Sequence, residues 1–417
     1  GTTSAPYSSG QYNTAVGSEA LKAFTTGGSN VAIGYQAADA ITTAVENLAI
    51  GRGALGSATT QDRNIAMGYF SAANLTGASA EFNVFIGDYT GQGGSGNLKR
   101  SVAVGYQVLQ STAGNDVDGA IGIGYQALND VTSGDHNIAV GWQAGDAITT
   151  TAGTISIGTS ALGGITTTGD YTIAIGYGAM GGAEIGDGNI AIGYQSMQNA
   201  NSAGLHRNIA IGYQTMANVG SNGPDDNVAL GYQALNDITT GGYNVGIGSY
   251  VLENLTTGTD NVAVGFVAGR RITGTYNVSI GSYAHDYGYG STKSIAIGYQ
   301  SAQYSTGSFN TFVGYQAGRG GTNSAPFTSG ENNVGIGRNS LSYITTATDN
   351  IAIGQYAGER TGQFNNTTDN IFMGKFAGRY VQGSRNLFMG YYAGQGSSAN
   401  SQSPGVNNIG LGYQSSV

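Results

Sequence analysis

The stretch NIAIGYQSM, residues 189–197, returns as NIAIGYQTM at 208–216 and as NVALGYQAL at 227–235. NVAIGYQAA at 30–38 and SIAIGYQSA at 294–302 repeat the same phrase far from these three. Aligned on the Gly that closes the "AIG" triplet, the chain holds 23 copies, from Gly17 to Gly412, whose 22 spacings range from 16 to 23 residues and average just under 18. A period this short predicts a solenoid with one coil per repeat. Asn30, Gly34, Asn189, Gly193, Asn208, Gly212, Asn227 and Gly231 mark its structural repeat positions.

With that Gly as position zero, position −4 is Asn in 18 copies, −1 is always Val, Ile, Leu or Met, and −2 is Ala, Gly or Ser in 19. The other four copies have Phe85, Phe312, Phe372 and Phe388 at −2. Position +1 is Tyr in 12 copies, with Trp142 there once, and +2 is Gln in 10. Length variation falls after +4, as loops absorb insertions and strands do not. Side chains alternate along a strand, so −3 and −1 share a face. Their bulk predicts that they point into the coil, leaving the small −2 residues to face other chains of a homotrimer, with a second part of the same coil folding over them as the alternative. The Gly fits a turn needing positive φ or close backbone approach. Asn tolerates left-handed geometry and bonds neighbouring backbone. Stacked Asn and Gln columns can form amide ladders, and the Tyr column can stack.

Composition agrees with a backbone-dominated β structure. Gly is 73 of 417 residues and charged residues are only 9%, against typical shares of about 7% and about 25%. Pro is too rare, at 4, and Gly too irregular for collagen. Cysteine is absent, which excludes disulfides and thiolate metal sites. No apolar run reaches the roughly 18 residues that span a membrane. The chain begins at Gly1, not Met, so a processed or cut start is expected, with residues 1–12 as lead-in and 13–416 as one solenoid of 23 repeats. Residues 1–260 carry 6 Lys and Arg against 19 Asp and Glu, whereas 261–417 carry 9 against 5. An acidic first part argues against general nucleic-acid binding.

NVAIG, SIAIG and NVSIG (277–281) resemble the head repeats of trimeric autotransporter adhesins. The longer NxAIGYQAL phrase with its TTG loop is closer to repeat regions of bacteriophage tail fibres. The resemblance covers nearly the whole chain. It implies an all-β, left-handed parallel β-solenoid (β-roll) of about 23 coils with mean period 18, three chains around one axis, and an extracellular or virion-surface location. The spacing exceeds that of the adhesin heads, so loops are expected to protrude. NIGLGYQSSV from Asn408 ends without a visible cap, so further chain or a covering partner is expected.

Chemistry is sparse. There is no nucleophile elbow and no Walker phosphate loop, and GGSGNLKR (93–100) precedes a strand, where phosphate loops precede a helix. His136, His206 and His285 are some 70 or more residues apart and read as loop residues. The acidic pairs in GPDDN (223–227) and GNDVDG (114–119) lack the calcium-binding nonapeptide pattern. Asp118 and Asp135, each six residues before a repeat Gly, read as loop acids although they could be posed as a glycosidase pair. No catalytic residue, metal or cofactor is therefore expected. One departure stands out: YQAL gives way to Ala-Gly-Arg around Arg270, Arg319 and Arg379, and to Ala-Gly-Glu-Arg at Arg360. These four arginines are the candidate contacts to an anionic cell-surface polysaccharide or lipopolysaccharide, with inter-chain or loop-capping bonds as the competing role. The loops 319–332, 359–369 and 395–407 are the candidate binding loops. The reading is a structural and adhesive fibre segment of a phage tail, not an enzyme. A bacterial surface adhesin or filament is the alternative, and a polysaccharide depolymerase a distant third.

Overall fold

The computed structural model describes residues 9–111, 115–164, 169–182, 184–199, 201–202, 204–220, 222–321, 328–361, 367–396 and 405–415. The described residues contain no helix, and the chain is an all-β parallel solenoid. It divides into two compact units, residues 1–207 with 221–223, and residues 208–220 with 224–417. Each coil contributes one three-residue strand at positions −3 to −1. The first unit has eleven, from Thr14–Val16 to Ile190–Ile192, and the second has twelve, from Ile209–Ile211 to Ile409–Leu411. Within each unit like pairs with like: Val31, Ala32 and Ile33 lie beside Leu48, Ala49 and Ile50, and Val245, Gly246 and Ile247 beside Val262, Ala263 and Val264. A slip of one residue would exchange the two faces of the strand, which holds the register in place.

The chain turns through left-handed residues. The repeat Gly has φ of +136° at Gly34 and +141° at Gly141, and a Cβ on Gly141 would sit 2.6 Å from the carbonyl oxygen of Gly158 in the next coil. Both expected reasons for Gly therefore operate. Three other positions per coil also turn left-handed without glycine: −5, as in Glu46, +2, as in Gln36, and +4, as in Leu55. Asn at −4 was expected to tolerate that geometry; the residue before it adopts it instead. The Asn side chain is buried and serves as a hydrogen-bonding column. Asn47 donates from backbone N and from Nδ2 to Asn30 Oδ1 at 3.0 and 3.1 Å, and Asn64 N donates to Asn47 Oδ1 at 2.9 Å.

The facing of the strand is the reverse of the sequence expectation. Ala32, Ala191 and Ala296 at −2 are 0% exposed and point into the coil, whereas Ile33 at −1 is 38% exposed and Ile297 36%. A coil of about seventeen residues is narrow, and its interior is already occupied. Position +3 supplies Ala37 and Ala54, +4 supplies Leu55 and Leu235, +7 supplies Ile41 and Ile238, and −4 supplies the Asn column, all buried. Only a methyl group fits opposite them, so the large aliphatic residues go outside. A charge at Ala191 or Ala210, both fully buried, would thus break the coil itself.

The four Phe copies prove this volume rule. Each Phe at −2 is accompanied by Gly at +4 of its own coil: Phe85 with Gly91, Phe312 with Gly318, Phe372 with Gly378, and Phe388 with Gly394. A Cβ on any of these glycines would overlap the ring of its Phe. Where −2 is small, +4 is most often Leu or Met, as in Ala229 with Leu235 and Ala191 with Met197, whereas each Phe at −2 is matched by Gly. Gly269 and Gly358 answer other large neighbours: a Cβ on Gly269 would lie 2.8 Å from Leu252 Cδ2, and one on Gly358 2.8 Å from Phe372. The Ala-Gly half of the C-terminal signature is therefore core packing.

Candidate functional surfaces

Positions −3, −1 and +1 lie on the outward side of the coil and line up as columns along each unit. The −1 column is exposed at Ile86, Ile123 and Ile157 in the first unit and at Ile247, Ile280, Ile336 and Ile353 in the second. Beside it runs the +1 column of exposed aromatic rings. Tyr106, Tyr125 and Trp142 stack at centroid distances of 5.5 and 4.2 Å, Tyr177 and Tyr194 at 5.4 Å, and Tyr213 and Tyr232 at 5.1 Å. The +2 amides form the expected ladder: Gln126 Nε2 donates to Gln107 Oε1 at 2.9 Å, Gln143 to Gln126 at 3.1 Å, and Gln233 to Gln214 at 3.0 Å. Parallel stacking with identical register aligns every such column without further design.

The four candidate arginines are half-buried and engaged with neighbouring coils of the second unit. Arg270 Nε donates to Asp286 Oδ1 at 3.0 Å and its Nη2 to Oδ2 at 3.3 Å, with the arginine side chain 24% and the aspartate 2% exposed. Arg379 Nε donates to Glu359 Oε2 at 2.5 Å, and its guanidinium lies 4.6 Å from the Tyr380 ring. Arg319 Nη1 donates to Tyr343 Oη at 3.4 Å, and Arg360 lies 5.4 Å from the same Tyr343 ring. Position +5 alternates in sign along this unit, with Glu253 before Arg270 and Asp286 after it. Burial pushes the carboxyls of Asp286 and Glu253 upward, and the nearby Arg270 charge opposes that. The arrangement is a coil-to-coil brace.

Sequence reading missed a second set of cations. Arg52, Arg338 and Lys375 replace Tyr in the +1 column and are exposed. Arg52 sits 5.6 Å from both Tyr35 and Tyr69, Arg338 5.7 Å from both Tyr315 and Tyr356, and Lys375 5.7 Å from Tyr391. Reading down the +1 column for charge, not along the chain for motifs, would have found them. Of the proposed binding loops, residues 322–327, 362–366 and 397–404 lie outside the described residues.

Asp118, Asp135 and His206 make bonds between neighbouring coils. Asp135 Oδ1 accepts the Asp118 backbone N–H at 2.8 Å, and the Asp118 carboxylate pairs with Arg100. Asp187 N donates to His206 Nδ1 at 2.8 Å in the same manner. No group of three or more His, Cys, Asp or Glu suited to a metal occurs among the described residues. His285 departs from expectation: it is not a loop residue but fills the +4 core position, fully buried, with Nε2 2.8 Å from Ser291 Oγ. Burial pushes its pKa down to about 4. An unfolded His titrates near 6.5, so the unfolded chain binds the proton first and stability falls as pH drops from about 6.5 toward 4. The size is about 3 kcal/mol. Leu occupies this position in the same backbone conformation elsewhere, as at Leu252. His285→Leu should therefore remove that share of the acid loss, read as a smaller difference between urea midpoints at pH 7 and pH 4.5 than in the parent.

No family model matches the chain, and no curated protein matches it.

Proposed function

We propose that the chain is a structural and adhesive segment of an extracellular or virion-surface fibre, with copies of itself packed on the outward aliphatic face. The observation carrying this reading is that face: aliphatic −3 and −1 columns beside an aromatic column, running along each unit and uncovered by any described residue. Soluble monomers rarely expose apolar patches beyond a few hundred Å². A homotrimer is the assembly implied by the resemblance to adhesin heads and tail-fibre repeats. Contact with anionic cell-surface glycan belongs in this reading to Arg52, Arg338 and Lys375, whose charges are exposed at the border of the face. Arg270 and Arg379 are paired with carboxylates, Arg319 donates to Tyr343 Oη, and Arg360 lies half-buried beside the same ring.

The test is native mass. The parent should run at three times the 42.3 kDa chain mass. Ile297→Lys with Ile353→Lys alters only outward residues, so it should yield a folded β-rich chain at 42.3 kDa. A parent that is monomeric and soluble at high concentration would remove the assembly reading. Salt-sensitive attachment to cells that is lost on changing Arg52, Arg338 and Lys375 to Ser supports the adhesive half; attachment unchanged by that triple variant argues against it.

A further inference from the structure

Two coils of the first unit interrupt the columns with Gly at both +2 and +5, the coil of Gly176 with Gly178 and Gly181 and the coil of Gly51 with Gly53 and Gly56. At Gly53 an aromatic ring, Phe70, walls the gap, whereas Gly178 has only Gln195 nearby. The coil beginning at Gly51 carries Gly53 at +2 and Gly56 at +5, where the flanking coils carry Gln36 and Phe70, and Asp39 and Ala73. Backbone geometry does not require Gly53. Its φ of +64° is matched by Gln36 at +53° and Phe70 at +50°, one coil to either side. Gly56 has no left-handed φ to satisfy either. The two glycines instead leave space, and the walls lean into it. A Cβ on Gly53 would lie 2.7 Å from the Phe70 ring, and one on Gly56 3.6 Å from Asp39 Oδ1. The result is an open notch of about 450 Å³ lined by Gln36, Asp39, Ser57, Phe70, Asn74 and Tyr89, within the size range of small-molecule sites.

Its chemistry is selective. Gln36 Nε2 donates to Glu19 at 2.9 Å and Asn74 Nδ2 to Gln92 at 3.0 Å, which leaves each amide one further N–H and its carbonyl oxygen. These amides join the Asp39 carboxylate as the polar wall, against one apolar wall made by the Phe70 ring. Phe70 is held by Tyr89, stacked at 6.2 Å and 17°. An anion is disfavoured by Asp39. A cation is disfavoured because Arg52 already lies 5.8 Å from the Phe70 ring. A ligand with many hydroxyl donors and one apolar C–H face satisfies both walls. We propose that this notch is a binding site for a neutral pyranose saccharide, with Phe70 stacking on the sugar ring and Asp39 accepting from its hydroxyls. This goes beyond the fibre reading and stands on different residues.

The experiment is saturation-transfer NMR on the whole chain with maltotriose, cellotriose and chitotriose. Transfer to the ring C–H protons of at least one sugar is expected. Asp39→Asn should weaken it about tenfold, the usual effect of removing a charged acceptor. Phe70→Leu should reduce it severalfold, and Gly53→Gln, which refills the ladder position, should abolish it. Asp39→Asn keeps an acceptor oxygen for the backbone N–H groups of Asp39 and Ala40 that the carboxylate now serves, so the variant should stay folded with the parent's native mass, which keeps the test sound should Gly53→Gln fail to fold. No transfer from any of the three sugars, or transfer unchanged in Asp39→Asn and Phe70→Leu, overturns the site. A monomeric parent that binds sugar removes the fibre reading and leaves the notch standing; a trimer that binds none does the reverse.

Discussion

Phe312→Ala should cost about 3–5 kcal/mol, the usual loss for deleting a buried aromatic ring, and adding Gly318→Leu should return most of it. Phe312 is fully buried, and its ring fills the volume that Leu occupies at +4 in other coils. Truncation leaves a void that the hydrogen-bonded coils on either side cannot collapse into. Leu at 318 restores the Ala-with-Leu pairing seen at Ala49 and Leu55, and its backbone conformation is available, since Leu341 takes φ +47° in the next coil and Gly318 +61°. Recovery should be incomplete, because the ring also packs 2.9 Å from the Cβ position of Gly335. Gly318→Leu alone should be at least as damaging as Phe312→Ala, as ring and side chain would then claim one space. The four chains, compared by urea denaturation, form a double-mutant cycle with a large favourable coupling. Additive losses would show that the Phe and Gly copies coincide for another reason.

Asn244→Asp should destabilise the second unit by more than Asn244→Ala, and both by several kcal/mol. Asn244 is fully buried in the amide column. Its Nδ2 donates to Asn227 Oδ1 at 3.0 Å, to Gly242 O at 3.1 Å and to Gly258 O at 2.9 Å. Its Oδ1 accepts from N and Nδ2 of Asn261, both at 3.0 Å. Alanine leaves these partners unsatisfied in a dry site, at about 1–3 kcal/mol for each group stranded. Aspartate does more harm. It keeps the acceptor but turns a second oxygen, carrying charge, toward three oxygens that expect a donor. Burial and those oxygens raise the pKa of the introduced carboxyl, so the excess cost is full above that raised value and shrinks as pH falls and the group protonates. Urea midpoints at pH 7 and pH 5 read this directly: Asp should approach Ala at the lower pH. Equal midpoints for all three chains at pH 7 would mean that the ladder contributes nothing to stability.

Much of this was legible in the phrase NIAIGYQ itself. Period, parallel stacking, the Gly at a backbone crossing, the Asn and Gln ladders and the Tyr column all follow from identical residues recurring at identical places. A periodic chain in register must align each position with itself. Asp135 was likewise readable as a loop residue, whereas Asp118 lies in the short strand Val117–Asp118, paired beside Lys99. The partners of Arg270, Arg319 and Arg379 were not legible, because they sit 16 to 24 residues away along the chain. Nor was the exposed cation set at +1, which becomes visible only when the coils are superposed.

The sequence by itself determined which residues are equivalent and which alternate. Only the tertiary structure decided which of the two alternating sets is inside. Alternation with period two divides a strand into faces but carries no sign, and the ordinary rule that the larger apolar residues go inward assumes a core wide enough to take them. Here the interior is shared by Asn at −4, Ala at +3, Leu at +4 and Ile at +7, so Ala32 fits within and Ile33 does not. The cross-section of the coil, set by residues from four parts of the repeat meeting in space, places Ala inside and leaves Ile outside.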